Sequence, residues 1–476
     1  MTERLGALQS ALGRPVPIAG LVFFRFLFGM IGFVSALRFL AYGWVDEFFV
    51  RPRFFFKYGF APFVEPLSHT GMHAVFWVMA ASGLAVALGL FYRAAVATFF
   101  VTITYVQLID VTNYLNHYYL VSLLAALLFF VPAAGAYSID AWRRGVKTLT
   151  LPRWGYSLLR FQVGVVYTFA GVAKIGSDWL LFGQPLDIWL SSRTDLPVLG
   201  PLLALPAAPM VMSWAGCLFD LTIALWLSLD RTRPFAFVAV LVFHAVTMAL
   251  FPIGMFPVIM VVSATIFFRP DWPQRVLGHL ARLRSAPSVA LPTVGESSEV
   301  APRPLPRLAL AAMAAYAAVQ LLVPLRSHLY GGDVLWHEQG MRFSWRVMVR
   351  EKNATVTYLV TDPRTGRRYE VAPRRYLDAR QEREFATQPD LILALAHRVA
   401  ADEAAARGGP VEVRADVLAS LNGRRAARLV DPTIDLAAER DTFAPKRWVL
   451  PAPSAHPRSY HRGTWPRRSW NEPLAR

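Results

Sequence analysis

Over the first two thirds of this chain, apolar residues run in long blocks instead of alternating with polar ones. Blocks at 19–41, 70–91, 94–110, 118–135, 157–175, 208–229, 234–251, 254–268 and 308–326 reach or approach the roughly 20 apolar residues that cross a ~30 Å hydrocarbon core. Each predicts a membrane-spanning helix, the eighth being short and the third and fourth closely joined. Past about residue 328 the pattern changes. TVTYLVTDPRTGRRYEV (355–371) alternates apolar and polar positions on both sides of an Asp-Pro-Arg-Thr-Gly turn, which predicts a hairpin. Residues 379–407 read as a helix, and VEVRADVLASLNGRRAARLV (411–430) as a second hairpin closing at Asn422-Gly423. The expected fold class is an all-α polytopic membrane domain of about nine transmembrane helices followed by a small α+β extramembrane domain. Its boundaries are 1–328 and 329–476, with a flexible Pro- and Ser-rich connector at 285–306 and a Pro-, Arg- and Trp-rich tail from about 440.

Composition agrees with a lipid solvent: 55% of residues are apolar and only 17% charged. The first apolar run has no small-residue cleavage site after it, so it is expected to remain as an anchor. Net charge is +17, but the basic residues cluster in loops and in the C-terminal quarter. That is the distribution of cytoplasmic loops facing anionic lipid, and no nucleic-acid partner is expected. With nine spans, the loops assigned inside carry Arg4, Arg14, Arg93, Arg143, Arg144, Lys147, Arg153, Arg231, Arg233 and the arginines after Phe268. Those assigned outside carry only Arg51, Arg53, Lys57 and Arg193. The N-terminus is therefore expected in the cytoplasm and the C-terminal domain outside. The single cysteine, Cys217, excludes an internal disulfide and a cysteine metal cluster.

Ionisable groups inside spans are costly, and they mark where function is to be sought. His117 follows Asn116 at the start of the fourth span, Lys174 ends the fifth, and His244 lies in the seventh. Loop charge alone assigns His117 and Lys174 to the same membrane face. Lys174 reads either as a lysine snorkelling to the headgroups or paired with Asp178, or as a functional group. His117 and His244 have the plainer reading of histidines with satisfied local hydrogen bonds. A metal site built from these two histidines lacks a carboxylate or third histidine at ligand spacing, so no metal is expected. Base catalysis is the chemistry the groups support: a lysine against apolar walls loses hydration of its ammonium form and keeps a lone pair to take a proton. Asn116 and His117 would then polarise the substrate oxygen. Tyr114, Tyr118, Tyr119, Tyr167, Phe169 and Trp179 suit a flat apolar ligand such as a lipid quinol, or else form packing and an interfacial belt.

Several motifs occur together in order. They are FAGVAKIGSDW around Lys174, Asn116-His117 followed by Tyr119-Leu120, FHAVTMALFPIGMF around His244, and FSWRVMVR at 343–350. With VFFRFLFG (22–29), LFYR (90–93) and the TYLVTDPRTGRRYEV hairpin, they resemble the vitamin K-dependent γ-carboxylase family, the group also called HTTM after its transmembrane domain. The resemblance spans about residues 20–440. It implies that Lys174 deprotonates reduced vitamin K, a phylloquinol or menaquinol, whose reaction with O2 gives the epoxide and a base strong enough to remove a γ-proton from a peptide glutamate. CO2 then adds, giving γ-carboxyglutamate. It implies a role for His117 in that chemistry, quinol or substrate contacts for Asn116, Tyr119 and His244, and glutamate binding by the segment holding Ser344, Trp345 and Met348. The implied partners are the lipid quinol, a glutamate-containing peptide or secreted protein, and anionic membrane lipids.

The chain departs from the animal carboxylases at several points. Ala173-Lys174 stands where they have two lysines, Arg346 where they have an acidic residue after the tryptophan, and Arg350 where they have a histidine. The chain also stops well before their end and cannot form the family disulfide. Together these features imply a prokaryotic member in a bacterial inner membrane. The rival readings are a quinol epoxidase that lacks glutamate carboxylation and a non-enzymatic membrane scaffold or transporter of the same fold.

Overall fold

The computed structural model describes residues 2–283 and 303–461, a mostly helical chain with a small antiparallel sheet toward its C-terminal end. The connector expected at 285–306 falls almost wholly outside the described residues, as does the tail beyond residue 461. Among the described residues, six helices are long and apolar enough to cross a membrane: Ala19–Ala41, His69–Leu88, Tyr92–Ile109, Ala208–Ser228, Arg233–Leu250 and Arg307–Leu329. Six of the nine expected spans thus meet this measure. Two more correspond to the shorter apolar helices Asn116–Phe130 and Phe256–Phe267. The last corresponds to Trp154–Val172, whose 19 residues suffice in length but include Arg160 and Gln162. Both find hydrogen-bond partners within the protein, although Gln162 Nε2 is left without one among the described residues. Arg160 donates to the carbonyls of Ile266 (2.8 Å) and Phe268 (2.9 Å), and Gln162 accepts from the Tyr316 hydroxyl (2.5 Å).

The chain forms two compact units, one of Met1–Arg51, Lys57–Tyr167 and Thr222–Leu322, the other of Pro52–Phe56, Thr168–Leu221 and Val323–Arg476. In the first, the helices Ala19–Ala41 and His69–Leu88 approach through glycines. A Cβ at Gly29 would lie 2.4 Å from the backbone nitrogen of Ala87, and one at Gly83 would lie 2.8 Å from that of Phe33. Small residues at such crossings gain backbone-to-backbone van der Waals contact, which is what lipid-embedded helices have in place of a hydrophobic drive. Arg25, 1% exposed, donates to the carbonyls of Ala133 (2.9 Å) and Tyr137 (2.8 Å), so its charge serves open chain ends near the helix termini. Asp140 does the converse, accepting from the amides of Phe91 and Tyr92 at 2.8 Å each where the helix Tyr92–Ile109 begins.

The second unit carries a four-stranded antiparallel sheet in the order Arg368–Val371, Lys352–Thr361, Glu412–Leu421, Ala427–Arg428. The first expected hairpin is present in the register Tyr358↔Val371 and Thr361↔Arg368. The second is present too, its turn entered at Asn422 (φ +49°) and Gly423 (φ +81°), though its return strand is only two residues long. The single helix expected at 379–407 is two, Ala379–Ala386 and Pro389–Arg407. Pro389 lacks the amide needed to continue a helix and disfavours helical geometry in the residue before it, so the chain breaks and restarts there. The buried positions Val413, Ala415, Val417, Ala419 and Leu421 alternate along one strand, and the Tyr358 hydroxyl donates to the Ile392 carbonyl at 2.7 Å.

Candidate functional site

Lys174 lies in the turn that ends the helix Trp154–Val172, its amide donating to the Gly171 carbonyl at 2.9 Å. Gly171 also sets what faces it. A Cβ there would lie 2.8 Å from the backbone nitrogen of Leu221, so glycine is what lets this part of the helix Ala208–Ser228 come close. One residue before Leu221 is Asp220, whose Oδ2 accepts from Lys174 Nζ at 2.8 Å. The side chains are 6% and 8% exposed. Nζ also donates to the carbonyls of Ala170 (3.1 Å) and Val347 (3.4 Å), so the three N–H bonds of an ammonium each have an acceptor. The ring of Trp179 lies 5.2 Å from Nζ, within cation–π range, and is held by its own Nε1–H bond to the Ser213 carbonyl at 2.7 Å.

This environment differs from both plain readings of Lys174. A side chain so buried within the protein does not run out to headgroups. Asp178 is engaged elsewhere, in a two-pronged pair with Arg424 at 2.6 and 2.7 Å and with Asn422 Nδ2 at 2.9 Å. The apolar-walled lysine expected from sequence is also amended, because a carboxylate completes its surroundings.

Val347 belongs to FSWRVMVR, and this segment is conformationally unusual. Phe343, Trp345 and Met348 adopt φ of +61°, +58° and +56°. Non-glycine residues in the left-handed region cost of order 1 kcal/mol or more each and persist only where surroundings over-determine them. Here those surroundings are visible. Ser344 and Trp345 are 3% and 1% exposed, and the Ser344 hydroxyl donates to the Met341 carbonyl. Met348 is half-buried. The two arginines that depart from the animal pattern are both occupied: Arg350 pairs with Glu338, and Arg346 donates to the Ser327 hydroxyl at 3.1 Å.

The other expected residues lie in the first unit. His117, 9% exposed, is the second residue of the helix Asn116–Phe130. Asn116 accepts from the Tyr114 hydroxyl at 2.9 Å, and Tyr119 is half-buried. His244, 2% exposed, shares a 3.1 Å hydrogen bond with the Tyr167 hydroxyl. Phe256 is a common neighbour, its ring centroid 6.1 Å from that of His117 and 6.0 Å from that of His244. The fold therefore gathers Asn116, His117 and His244 around one aromatic region, and gathers Lys174 with the 343–350 segment in the other unit.

Asp220 is the residue that the sequence reading passed over. It is the lone acidic residue of an otherwise apolar span, and that in itself was a signal. A buried amine and carboxylate in contact can exchange or share a proton and can hold an ammonium once formed, which is the equipment of a base and its stabilising partner.

Comparison with known families supports the motif resemblance independently. The HTTM domain family matches residues 13–272, and the lumenal domain of vitamin K-dependent gamma-carboxylases matches residues 305–455. No solved structure matches the chain. With both matches in order along one chain, and the first alone covering more than half of its 476 residues, the chain belongs to the vitamin K-dependent gamma-carboxylase family with its HTTM domain.

Proposed function

We propose that this chain is a quinol-dependent γ-glutamyl carboxylase and epoxidase, with Lys174 as its initiating base. The observation that carries the reading is the buried Lys174–Asp220 pair in contact with the carbonyl of Val347. It brings the candidate base together with the segment that the family resemblance associates with the glutamate substrate. The donor set suits a weakly acidic hydroxyl. Nζ is shielded from water, its weakest contact is the 3.4 Å one to Val347, and opening that contact exposes the direction along which it would take a proton.

Reduced vitamin K, when bound, supplies an acidic hydroxyl and a reaction with O2 energetic enough to drive loss of a glutamate γ-proton and addition of CO2. The remaining work falls to the chain. Once the proton it shares with Asp220 has passed to that carboxylate, the neutral amine of Lys174 takes up the hydroxyl proton. Asp220 and the Ala170 carbonyl hold the resulting ammonium, at no cost in reorganisation because they are already in place. Asn116 and His117 bind and polarise the quinol oxygen, while Tyr119 and His244 line its ring. Ser344, Trp345 and Met348, fixed in their strained segment, position the glutamate side chain. Since Arg350 is paired with Glu338, its replacement of a histidine alters the charge offered to a peptide less than the sequence implies.

The proposal includes a topology. Trp154–Val172, Asn116–Phe130 and Phe256–Phe267 join the six long apolar helices to make nine crossings. The N-terminus lies in the cytoplasm of a bacterial cell, and the transmembrane domain 1–328 precedes an outward domain 329–476.

One assay tests the function: purified protein in detergent, reduced vitamin K, labelled bicarbonate and a panel of glutamate peptides, scored for epoxide and for fixed label. Both products are expected. Epoxide without label would select the quinol epoxidase, and neither product from folded protein would leave the scaffold or transporter.

A further inference from the structure

Away from these residues, the first unit brings together a second group of chemically capable side chains. His69 and His73 are four residues apart at the start of the helix His69–Leu88, so they share one face. Their rings lie 4.6 Å apart. Asp46, in the short helix Trp44–Phe49, directs a single oxygen at both: Oδ1 is 3.2 Å from His69 Nε2 and 3.1 Å from His73 Nε2. The three donor atoms all lie within 4.8 Å of one another. Among the described residues, no lysine or arginine is within ion-pair distance of this carboxylate.

The scaffold beneath is closely packed. Val45 and Phe49 are buried, and Phe49 and Phe39 pack on Phe76 of the histidine-bearing helix at 5.6 and 5.1 Å. Ser68 caps that helix by accepting from the Gly71 amide, which fixes where the histidines fall.

We propose that Asp46, His69 and His73 form a binding site for a divalent transition ion of the zinc class. Ligand bonds of about 2.0–2.1 Å set at tetrahedral angles place donors about 3.3 Å apart, which the two carboxylate-to-imidazole separations approach without rearrangement. Two imidazole nitrogens with one carboxylate oxygen favour zinc or a neighbouring transition ion over calcium or magnesium, which take oxygen ligands. Side-chain exposures of 63% for His69 and near 28% for the other two leave a path for the ion and a fourth position for water.

The test uses the full chain in detergent, stripped with chelator and then titrated with Zn2+ alone against a chromophoric competitor. The expected result is one Zn2+ per chain and a rise in Tm on addition. His73→Ala and Asp46→Asn should each weaken binding at least about tenfold and abolish the Tm rise. His69→Gln, at the most exposed position, gives a third variant with the least effect on folding, and His279→Ala, an exposed histidine elsewhere, should bind as the wild type does. Co2+ should give the intense visible absorption of a four-coordinate site. Absence of stoichiometric Zn2+, or binding that survives in the His69→Gln and Asp46→Asn proteins, would overturn the proposal and leave the trio as a hydrogen-bonded surface cluster.

Discussion

Asp220 Oδ2 lies 2.8 Å from Lys174 Nζ, a buried ion pair linking two polar residues that stand 46 positions apart in sequence. A charge buried at such a position is tolerated because its counter-charge is buried with it. Removing either alone strands the other.

Lys174 is expected to be indispensable for turnover, and its partner offers the control for folding. Lys174→Ala should abolish epoxide formation and lower stability, by about 3–5 kcal/mol if the Asp220 carboxylate stays charged. Lys174→Ala/Asp220→Asn should regain much of that stability and remain inactive. The check is thermal unfolding in detergent beside an epoxide assay. Epoxide formation at the wild-type rate in the double variant would remove Lys174 from the mechanism.

Asp220→Asn keeps the shape and a hydrogen-bond acceptor but withdraws the negative charge that holds the ammonium. Turnover should fall at least about tenfold, a loss of roughly 1.4 kcal/mol or more in transition-state stabilisation. Epoxide and fixed CO2 should fall together, because both follow the first proton transfer. A variant that loses carboxylation while keeping full epoxidation would assign Asp220 to the peptide and not to the base.

His117→Ala should impair turnover more than His244→Ala. His244 is committed to the Tyr167 hydroxyl and 2% exposed, as a packing histidine would be. Rates of both variants, normalised to folded protein, decide between them, and the reverse order would exchange their roles.

Lys352 should make the second unit more stable as pH rises. Its ammonium is buried among the carbonyls of Trp336 (2.5 Å) and Thr387 (2.6 Å) and Glu338 Oε1 at 3.1 Å. Burial lowers its pKa below the ordinary 10.5, with Glu338 partly opposing the shift. Between the lowered value and 10.5 the unfolded chain binds the proton more tightly, so stability rises with pH across that window and is lost as pH falls through the folded value. Lys352→Met leaves Glu338 paired with Arg350 and should flatten this slope. Melting temperatures of both proteins from pH 8 to 10.5 provide the comparison; parallel curves would exclude the effect.

The topology has its own check. A reporter that works only outside the cytoplasm should be active when fused after residue 461. Activity of a cytoplasm-dependent reporter at that position would contradict the nine-crossing arrangement.

The chain's sequence by itself determined the membrane setting, the positions of the apolar helices, the two hairpins and the family, because these depend on local runs, periodicities and short motifs. Asn422-Gly423 signalled a turn from its composition alone, and the turn is there with both φ positive. The break before Pro389 was legible from the same rules. Tertiary structure decided the partners. Lys174 could be singled out for the cost of its charge, but that cost is met by Asp220, by the Val347 carbonyl and by a glycine that lets a second helix approach. Likewise, His69 and His73 can be read as a helical pair, while the Asp46 oxygen that meets both comes from another element. Periodicity reports which face of a helix is buried. Which residue of a distant segment it is buried against depends on how closely backbones pack, and that is set by glycines, turns and side-chain volumes acting together.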